Sequence, residues 1–356
     1  VDDRTRCTYR GRCAYYLEKK SERKAQEAQE VSKAKNLLVK ELDQNKLVKI
    51  DTNVIELEIP YEQQNLASVL GNLSHLFKGQ SLFTQKVFAK IVTEEKAKRS
   101  KKRLLPKAFE GLRIGQLSDI HSGSFWNKTA VKGGVEMLQG EKVDLAFFTG
   151  DLVNNRATEM QEWGSVFAKV NAPLGVYSVF GNHDYGDYVQ WESKGAKQKN
   201  LMAFAAIHKN MGWNLLINES KVIEIDGERL GVIGVENWGA KGRFPKYGKL
   251  DLAMENVNDT AVNVLLSHDP SHWQAEVIQK YQNIDLTLSG HTHGMQFGVE
   301  IPGFKWSPVQ YMYDEWAGLY QANEQYLYVN RGFGYIGYPG RVGILPEISI
   351  LTLQKA

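Results

Sequence analysis

Cysteine is nearly missing from this chain: Cys7 and Cys13 are its only two, both close to the N-terminus. A disulfide framework or a thiolate zinc cluster therefore cannot organise the fold, whether or not the two pair in an oxidising compartment. No run of about eighteen apolar residues occurs, which excludes a transmembrane helix within the sequence. No secretory hydrophobic region is visible either. The chain starts at Val1 rather than Met, which leaves an upstream anchor open. A net charge of +3 is too small to point to nucleic acid, and long acidic or low-complexity tracts are absent. The 356 residues suffice for one large domain with an appendage, or for two domains.

The pattern changes near residue 104, which divides an N-terminal region, 1–104, from a main domain, 105–356. Residues 17–49 are rich in Lys, Glu, Ala and Gln and read as a solvent-exposed helix. Val54 to Ile59 alternates weakly until Pro60. Leu66, Val69, Leu70, Leu73, Leu76 and Phe77 recur at helical spacing, as do Leu82, Phe83, Val87, Phe88, Ile91 and Val92. A basic tract follows: Lys96, Lys98, Arg99, Lys101, Lys102 and Arg103. Amphipathic helices beside such a tract predict a membrane surface or membrane-protein partner for residues 60–104. The basic side mildly favours the cytoplasmic face. The plain alternative is helices docked on protein with a solvated basic linker.

Beyond residue 104 the chain alternates strands with loops and helices. Strands are predicted at 112–118, 144–149, 175–180, 221–225, 229–234, 261–267, 284–288, 327–329 and 348–353, and helices at 128–140, 159–170 and 201–211. This order predicts an α/β fold with two sheets face to face and helices outside. Five of the strands end in Asp, Asn or His. The endings are Asp119-Ile120-His121, Gly150-Asp151, Gly181-Asn182-His183-Asp184, Ser267-His268 and Gly290-His291-Thr292-His293. Ligands of open α/β sheets bind at carboxyl ends of strands. Carboxylate oxygen, imidazole nitrogen and amide oxygen without thiolate suit Mn, Fe or Zn. The donors are too many for one tetrahedral ion and enough for two divalent ions sharing a carboxylate. Such a pair, about 3.5–4 Å apart, clamps both oxygens of an in-line phosphoryl displacement.

These five blocks, in this order, resemble the calcineurin-like metallophosphoesterase superfamily over residues 107–356. Ser-Asp-Ile-His-Ser-Gly, Gly-Asn-His-Asp-Tyr-Gly and Gly-His-Thr-His-Gly resemble its bacterial membrane-associated branch more closely. The resemblance implies a four-layer α/β/β/α sandwich carrying a helical N-terminal extension. It implies a metal-activated hydroxide that hydrolyses phosphate monoesters, diesters or pyrophosphates. Asp119, His121 and His293 would bind one metal; Asn182, His268 and His291 the other; Asp151 would bridge them. His183 would stabilise phosphoryl oxygens and protonate the leaving group, oriented by Asp184. Many members carry Gly-Gly-Gln after the second histidine, where this chain has Gly294-Met295-Gln296, a departure that touches loop shape and substrate access.

The substrate is expected to be a phosphorylated small molecule or a lipid-linked one, a nucleotide-linked lipid precursor being the sharpest candidate. A phosphoesterase-fold scaffold on a membrane complex is the competing class, and the intact ligand set argues against it. His75, in the amphipathic pattern, reads as a surface or interface residue, His208 as structural, and His272 as either structural or a support to the site. Trp191, Trp238, Trp306, Trp316, Tyr311, Tyr313 and Tyr335 form either an apolar substrate rim or ordinary loop packing. Arg331 and Arg341 contact either substrate phosphate or protein.

Overall fold

The computed structural model describes residues 105–355 apart from 243, 302 and 303, together with two short strands, β1 (Lys49–Asp51) and β2 (Val54–Glu56). The chain divides into two units, Val1–Lys101 and Lys102–Ala356. In the first, β1 and β2 pair antiparallel, Ile50 opposite Ile55. The helices expected at 17–49 and 66–92, the basic tract, Cys7, Cys13 and His75 lie outside the described residues. Among the described residues, no helix is long and apolar enough to cross a membrane.

The second unit is built on two sheets. In one, β3 (Arg113–Leu117), β4 (Leu145–Phe148), β5 (Val176–Ser178) and β6 (Asn214–Leu215) run parallel. The other edge of that sheet is β15 (Ser349–Thr352), antiparallel to β3. The second sheet runs β13-β14-β10-β9-β8-β7, comprising Gly318–Ala322, Gln325–Val329, Leu286–Ser289, Val262–Leu266, Glu228–Gly234 and Glu219–Ile225. Its four inner strands are parallel, and both edges are antiparallel. Every residue of β4, β9 and β10 is buried, as parallel strands covered on both faces must be.

Three apolar layers hold the sandwich together. Ile114, Phe147, Val179, Val232, Val264 and Leu288 meet between the sheets. Outside the first sheet, Leu117, Phe148 and Phe180 pack under helix α1 (Lys128–Gly140), the single turn α2 (Gly164–Phe167) and α3 (Lys194–Asn210). Outside the second, Ile233, Leu265 and Val329 pack under α4 (Leu250–Ala253) and Trp273. The result is the four-layer α/β/β/α order. α1 forms because Asn127 caps it by accepting from the Ala130 amide, 3.1 Å, while Val131, Val135 and Leu138 face inward at helical spacing.

The helix expected at 159–170 is instead a 3₁₀ turn, Ala157–Met160, followed by α2. The Glu159 carboxylate accepts from the amides of Asn154, Asn155 and Arg156 at 2.6, 3.0 and 2.8 Å. The glutamate therefore fixes a loop rather than continuing a helix. Strands β6, β11 (Val299–Ile301), β12 (Phe304–Trp306) and β13 were not expected; they are short or lie at edges, where alternation is weak.

His208 is structural. It is fully buried among Phe148, Phe180, Phe204 and Trp213, with Nδ1 2.9 Å from Ser178 Oγ. Burial lowers its pKa to about 3. Below the ordinary histidine value the unfolded chain takes up a proton that the folded chain refuses, so stability falls as the pH drops. His208→Leu should make that fall shallower between about pH 6 and pH 4, by up to about 1.4 kcal/mol per pH unit. Urea unfolding at several pH values checks it; an unchanged slope counts against a neutral buried imidazole.

Candidate metal centre

The carboxyl ends of β3, β4, β5, β9 and β10 open at one edge of the sandwich, and the loops after them carry every residue expected at the site. Two clusters result, Asp119 with His121 and His293, and Asp151 with His268 and His291. In the first, His121 Nε2 and His293 Nε2 lie 3.0 Å apart, and Asp119 Oδ1 is 3.2 Å from His293 Nε2. In the second, His268 Nε2 lies 3.1 Å from Asp151 Oδ2, and His291 Nδ1 lies 3.3 Å from His268 Nε2. Asn182 joins this cluster through Oδ1, 2.8 Å from His291 Nδ1 and 3.2 Å from His268 Nε2. Asp151 Oδ2 also lies 3.6 Å from His121 Nε2, so it stands between the clusters.

The far side of each group is held by protein. His121 Nδ1 donates to Asn154 Oδ1, 3.1 Å, and His268 Nδ1 donates to the Thr149 carbonyl, 2.7 Å. Each bond takes the proton-bearing nitrogen and leaves Nε2 facing the site. Asn182 Nδ2 donates to Tyr188 Oη, 2.9 Å, which turns its amide oxygen inward. Asp119 accepts from the His291 amide, 3.0 Å, tying the β3 and β10 loops together. Several imidazole nitrogens thus converge with carboxylate oxygens, an arrangement of lone pairs that a divalent cation satisfies. The residues fit divalent metal ions.

Backbone strain concentrates here. Asp119, His121, Asp151, His291 and His293 all have positive φ, as do Met295 and Gln296. Left-handed non-glycine residues are costly and cluster at sites that the surrounding structure over-determines. The left-handed conformation of Met295, φ 53°, accounts for the glycine that many superfamily members place there. Two glycines allow close approach. A Cβ on Gly181 would meet Asp151 Oδ1 at 2.2 Å, and one on Gly290 would meet Asp119 Oδ2 at 2.1 Å. Gly290→Ala should therefore displace Asp119, lowering metal affinity and cutting turnover by about 10²-fold, the cost of a misplaced reacting group. Metal titration and kinetics of the purified variant check it; wild-type values for both would refute the close-approach reasoning.

Burial raises the pKa of the Asp151 carboxyl, but His268, His183 and His121 outweigh it and hold the carboxyl well below its ordinary value. His268 shows the reciprocal effect: burial lowers its pKa, and Asp151 with Asp119 lifts it to about 10. His121 is brought down to about 3 by burial, only partly offset by Asp151.

Asp184 does not orient His183. Its buried carboxylate accepts from the amides of Asp151, Leu152 and Gly181 at 2.9, 2.9 and 2.8 Å, and so fixes the loop that presents Asp151. The His183 ring is held by the Asn154 carbonyl instead, which accepts from Nδ1 at 2.8 Å. Asn154 therefore serves two site histidines, and sequence reasoning missed it. The sequence carried no signal for it: Asn154 stands five residues ahead of Glu159, and the residue at capping distance is Arg156, which is not a capping type.

Of the aromatic residues expected at a rim, Tyr313 reaches the site, its hydroxyl 3.0 Å from His291 Nε2, while Trp316 is buried behind it in the apolar cluster that the two share with Val309, Ala317 and Ile344. Trp191 packs under Arg156, and Trp238 against His272 and Lys246. Two aromatic groups not singled out from sequence also border the site, Tyr188 beside His183 and Phe244 beside His291. Both arginines bind protein: Arg331 pairs with Glu347, 2.5 Å, and Arg341 donates to the carbonyls of Arg331, Gly334 and His293. His272 lies behind Ser267, 2.8 Å from its hydroxyl, and against Glu276.

Carboxylate–histidine clusters at the strand ends of a two-sheet sandwich define a metal-dependent hydrolase. The family model for calcineurin-like phosphoesterases matches residues 112–295, and the chain belongs to that family. It is 30% identical over 259 residues to the uncharacterized metallophosphoesterase YkuE of Bacillus subtilis, covering 72% of this chain and 83% of that protein. The transmembrane protein with metallophosphoesterase domain of Danio rerio is 30% identical over 261 residues, which cover 71% of this chain and 55% of that protein. UDP-2,3-diacylglucosamine pyrophosphatase LpxG of Chlamydia trachomatis is 29% identical over 279 residues, covering 65% of this chain and 81% of that protein. The chain thus spans most of its bacterial relatives and about half of the animal one. Relatives occur in bacteria and animals alike, so the matches do not single out a bacterial branch.

Proposed function

We propose that this chain is a two-metal hydrolase of phosphate esters or pyrophosphates, acting on a lipid-linked substrate. The position of Asp151 Oδ2 between the two clusters, 3.6 Å from His121 Nε2 and 3.1 Å from His268 Nε2, carries the two-metal reading. Asp119, His121 and His293 would hold one ion and Asn182, His268 and His291 the other, with Asp151 common to both. Bound there, the ions supply Lewis acidity toward phosphoryl oxygen and a nucleophilic water near neutral pH. Asn182 contributes only a neutral oxygen, which makes Asp151 the better bridge. The Asn154 carbonyl accepts only, so the neutral His183 ring keeps its proton on Nδ1. A second proton, carried on Nε2, is the one to pass to a departing oxygen.

Two observations support a lipid-linked substrate. The relative LpxG is named a UDP-2,3-diacylglucosamine pyrophosphatase. Beside the His291–His293 loop, Met295, Phe297, Val299, Ile301 and Phe304 are all at least 41% exposed, an apolar surface that water disfavours. The membrane association read from residues 60–104 belongs to the same proposal, with the cytoplasmic face favoured. Hydrolysis of a nucleotide diphosphate lipid, a diester and a monoester by the Mn-loaded full chain tests the substrate reading. The expected order places the lipid pyrophosphate first in kcat/KM. Equal or higher efficiency on a soluble monoester would remove the lipid from the assignment.

A further inference from the structure

Tyr313 stands two residues beyond the 3₁₀ turn Pro308–Tyr311 and is only 6% exposed. Its hydroxyl lies 3.0 Å from His291 Nε2 and 3.5 Å from Asp269 Oδ2. The opposite nitrogen of the same imidazole, Nδ1, faces Asn182 Oδ1 at 2.8 Å and His268 Nε2 at 3.3 Å. Asp269 is fully buried. Its Oδ1 is already engaged, accepting from the Ser271 amide at 2.8 Å and the Ser271 hydroxyl at 2.7 Å. Oδ2 therefore turns toward Tyr313 and lies 3.7 Å from His291 Nε2. The Gly239 backbone passes so close that a Cβ there would meet this oxygen at 2.1 Å.

We propose that Asp269 and Tyr313 form a positioning relay for His291. The imidazole Nε2–H donates to Tyr313 Oη, and the phenolic O–H donates in turn to Asp269 Oδ2. The chain of donors has one direction, because a carboxylate only accepts and the phenol has a single proton to give. It fixes the tautomer of His291 and points the Nδ1 lone pair at the position shared with Asn182 and His268. A ligating imidazole commonly has its second nitrogen held by a carboxylate or carbonyl, and here a tyrosine is interposed. His121 and His268 use the direct forms, donating to an amide oxygen and a backbone carbonyl. Tyr313 is thus a positioning residue acting through His291. The relay rests on the two-metal reading above.

Manganese titration of the full chain by calorimetry tests it. Tyr313→Phe keeps the ring and removes only the hydroxyl. It should weaken one of the two Mn sites about 10–100-fold while leaving the other at wild-type affinity. A merely packing role would lower the melting temperature and leave the two affinities alike. Excess Mn should restore kcat in this variant, because no group that touches substrate has changed. Asp269→Asn should weaken the same site, and it decides the matter where Tyr313→Phe does not fold. Tyr311→Phe, at a neighbouring residue that is 78% exposed, should change nothing. Two wild-type affinities in folded Tyr313→Phe and Asp269→Asn, with two ions bound by the wild type, would overturn the relay alone. A wild-type chain that binds no ion would overturn the two-metal reading and the relay with it.

Discussion

Asp151→Asn should lower phosphodiester turnover by about 10³-fold or more, beyond what removal of one electrostatic contact at an active site costs. The substitution is nearly isosteric, so the backbone contacts persist: the Asp151 amide still donates to Asp184, and the side-chain oxygen near the His183 amide remains an acceptor. What changes is charge. A carboxylate offers two anionic oxygens, and an amide offers one neutral oxygen and a nitrogen that repels cations. Because Oδ2 serves both clusters, both ions should bind more weakly, unlike the single weakened site expected for Tyr313→Phe. Kinetics on bis-para-nitrophenyl phosphate together with metal analysis checks it. Near-normal turnover would remove Asp151 from the centre of the site.

His183→Ala should behave in the opposite way, retaining both ions and losing about 10²–10⁴-fold in kcat, the range for a positioned general acid. Its ring faces the clusters without joining either: it lies edge-on to His121 with 5.0 Å between ring centres, and beside Tyr188 at 4.5 Å. The leaving group should modulate the loss. A nitrophenolate departs readily without a proton, so the loss should be smaller for that ester than for an alkyl ester. Equal losses on both would assign His183 to phosphoryl binding rather than to protonation. Loss of metal in the variant would make it a ligand, contrary to its place outside both carboxylate–histidine clusters.

Much of the site was legible because its chemistry is written locally. Each block joins a buried strand to a turn, and a glycine or serine precedes the donor residue. Gly181 and Gly290 show why: a side chain there would occupy the space of Asp151 or Asp119. The supports were less legible, since they depend on which loop lies behind which. Asn154 is an ordinary loop asparagine until Glu159 folds its segment back, and Tyr313 was grouped with rim aromatics until its hydroxyl met His291. Asp184 was misread because adjacency in sequence suggested a partner for His183, whereas three backbone amides claim its oxygens. The long buried strands follow from their apolar runs. The hairpin β11–β12 does not, because its residues are largely exposed and pack on no alternating core face.

Electron paramagnetic resonance of the Mn-loaded full chain tests the central claim most directly. Two ions sharing Asp151, about 3.5–4 Å apart, should give an exchange-coupled dimanganese spectrum at two equivalents per chain. Asp151→Asn should lose that coupling. A spectrum of isolated Mn at every loading, or saturation at one ion per chain, would contradict the shared carboxylate on which the mechanism rests.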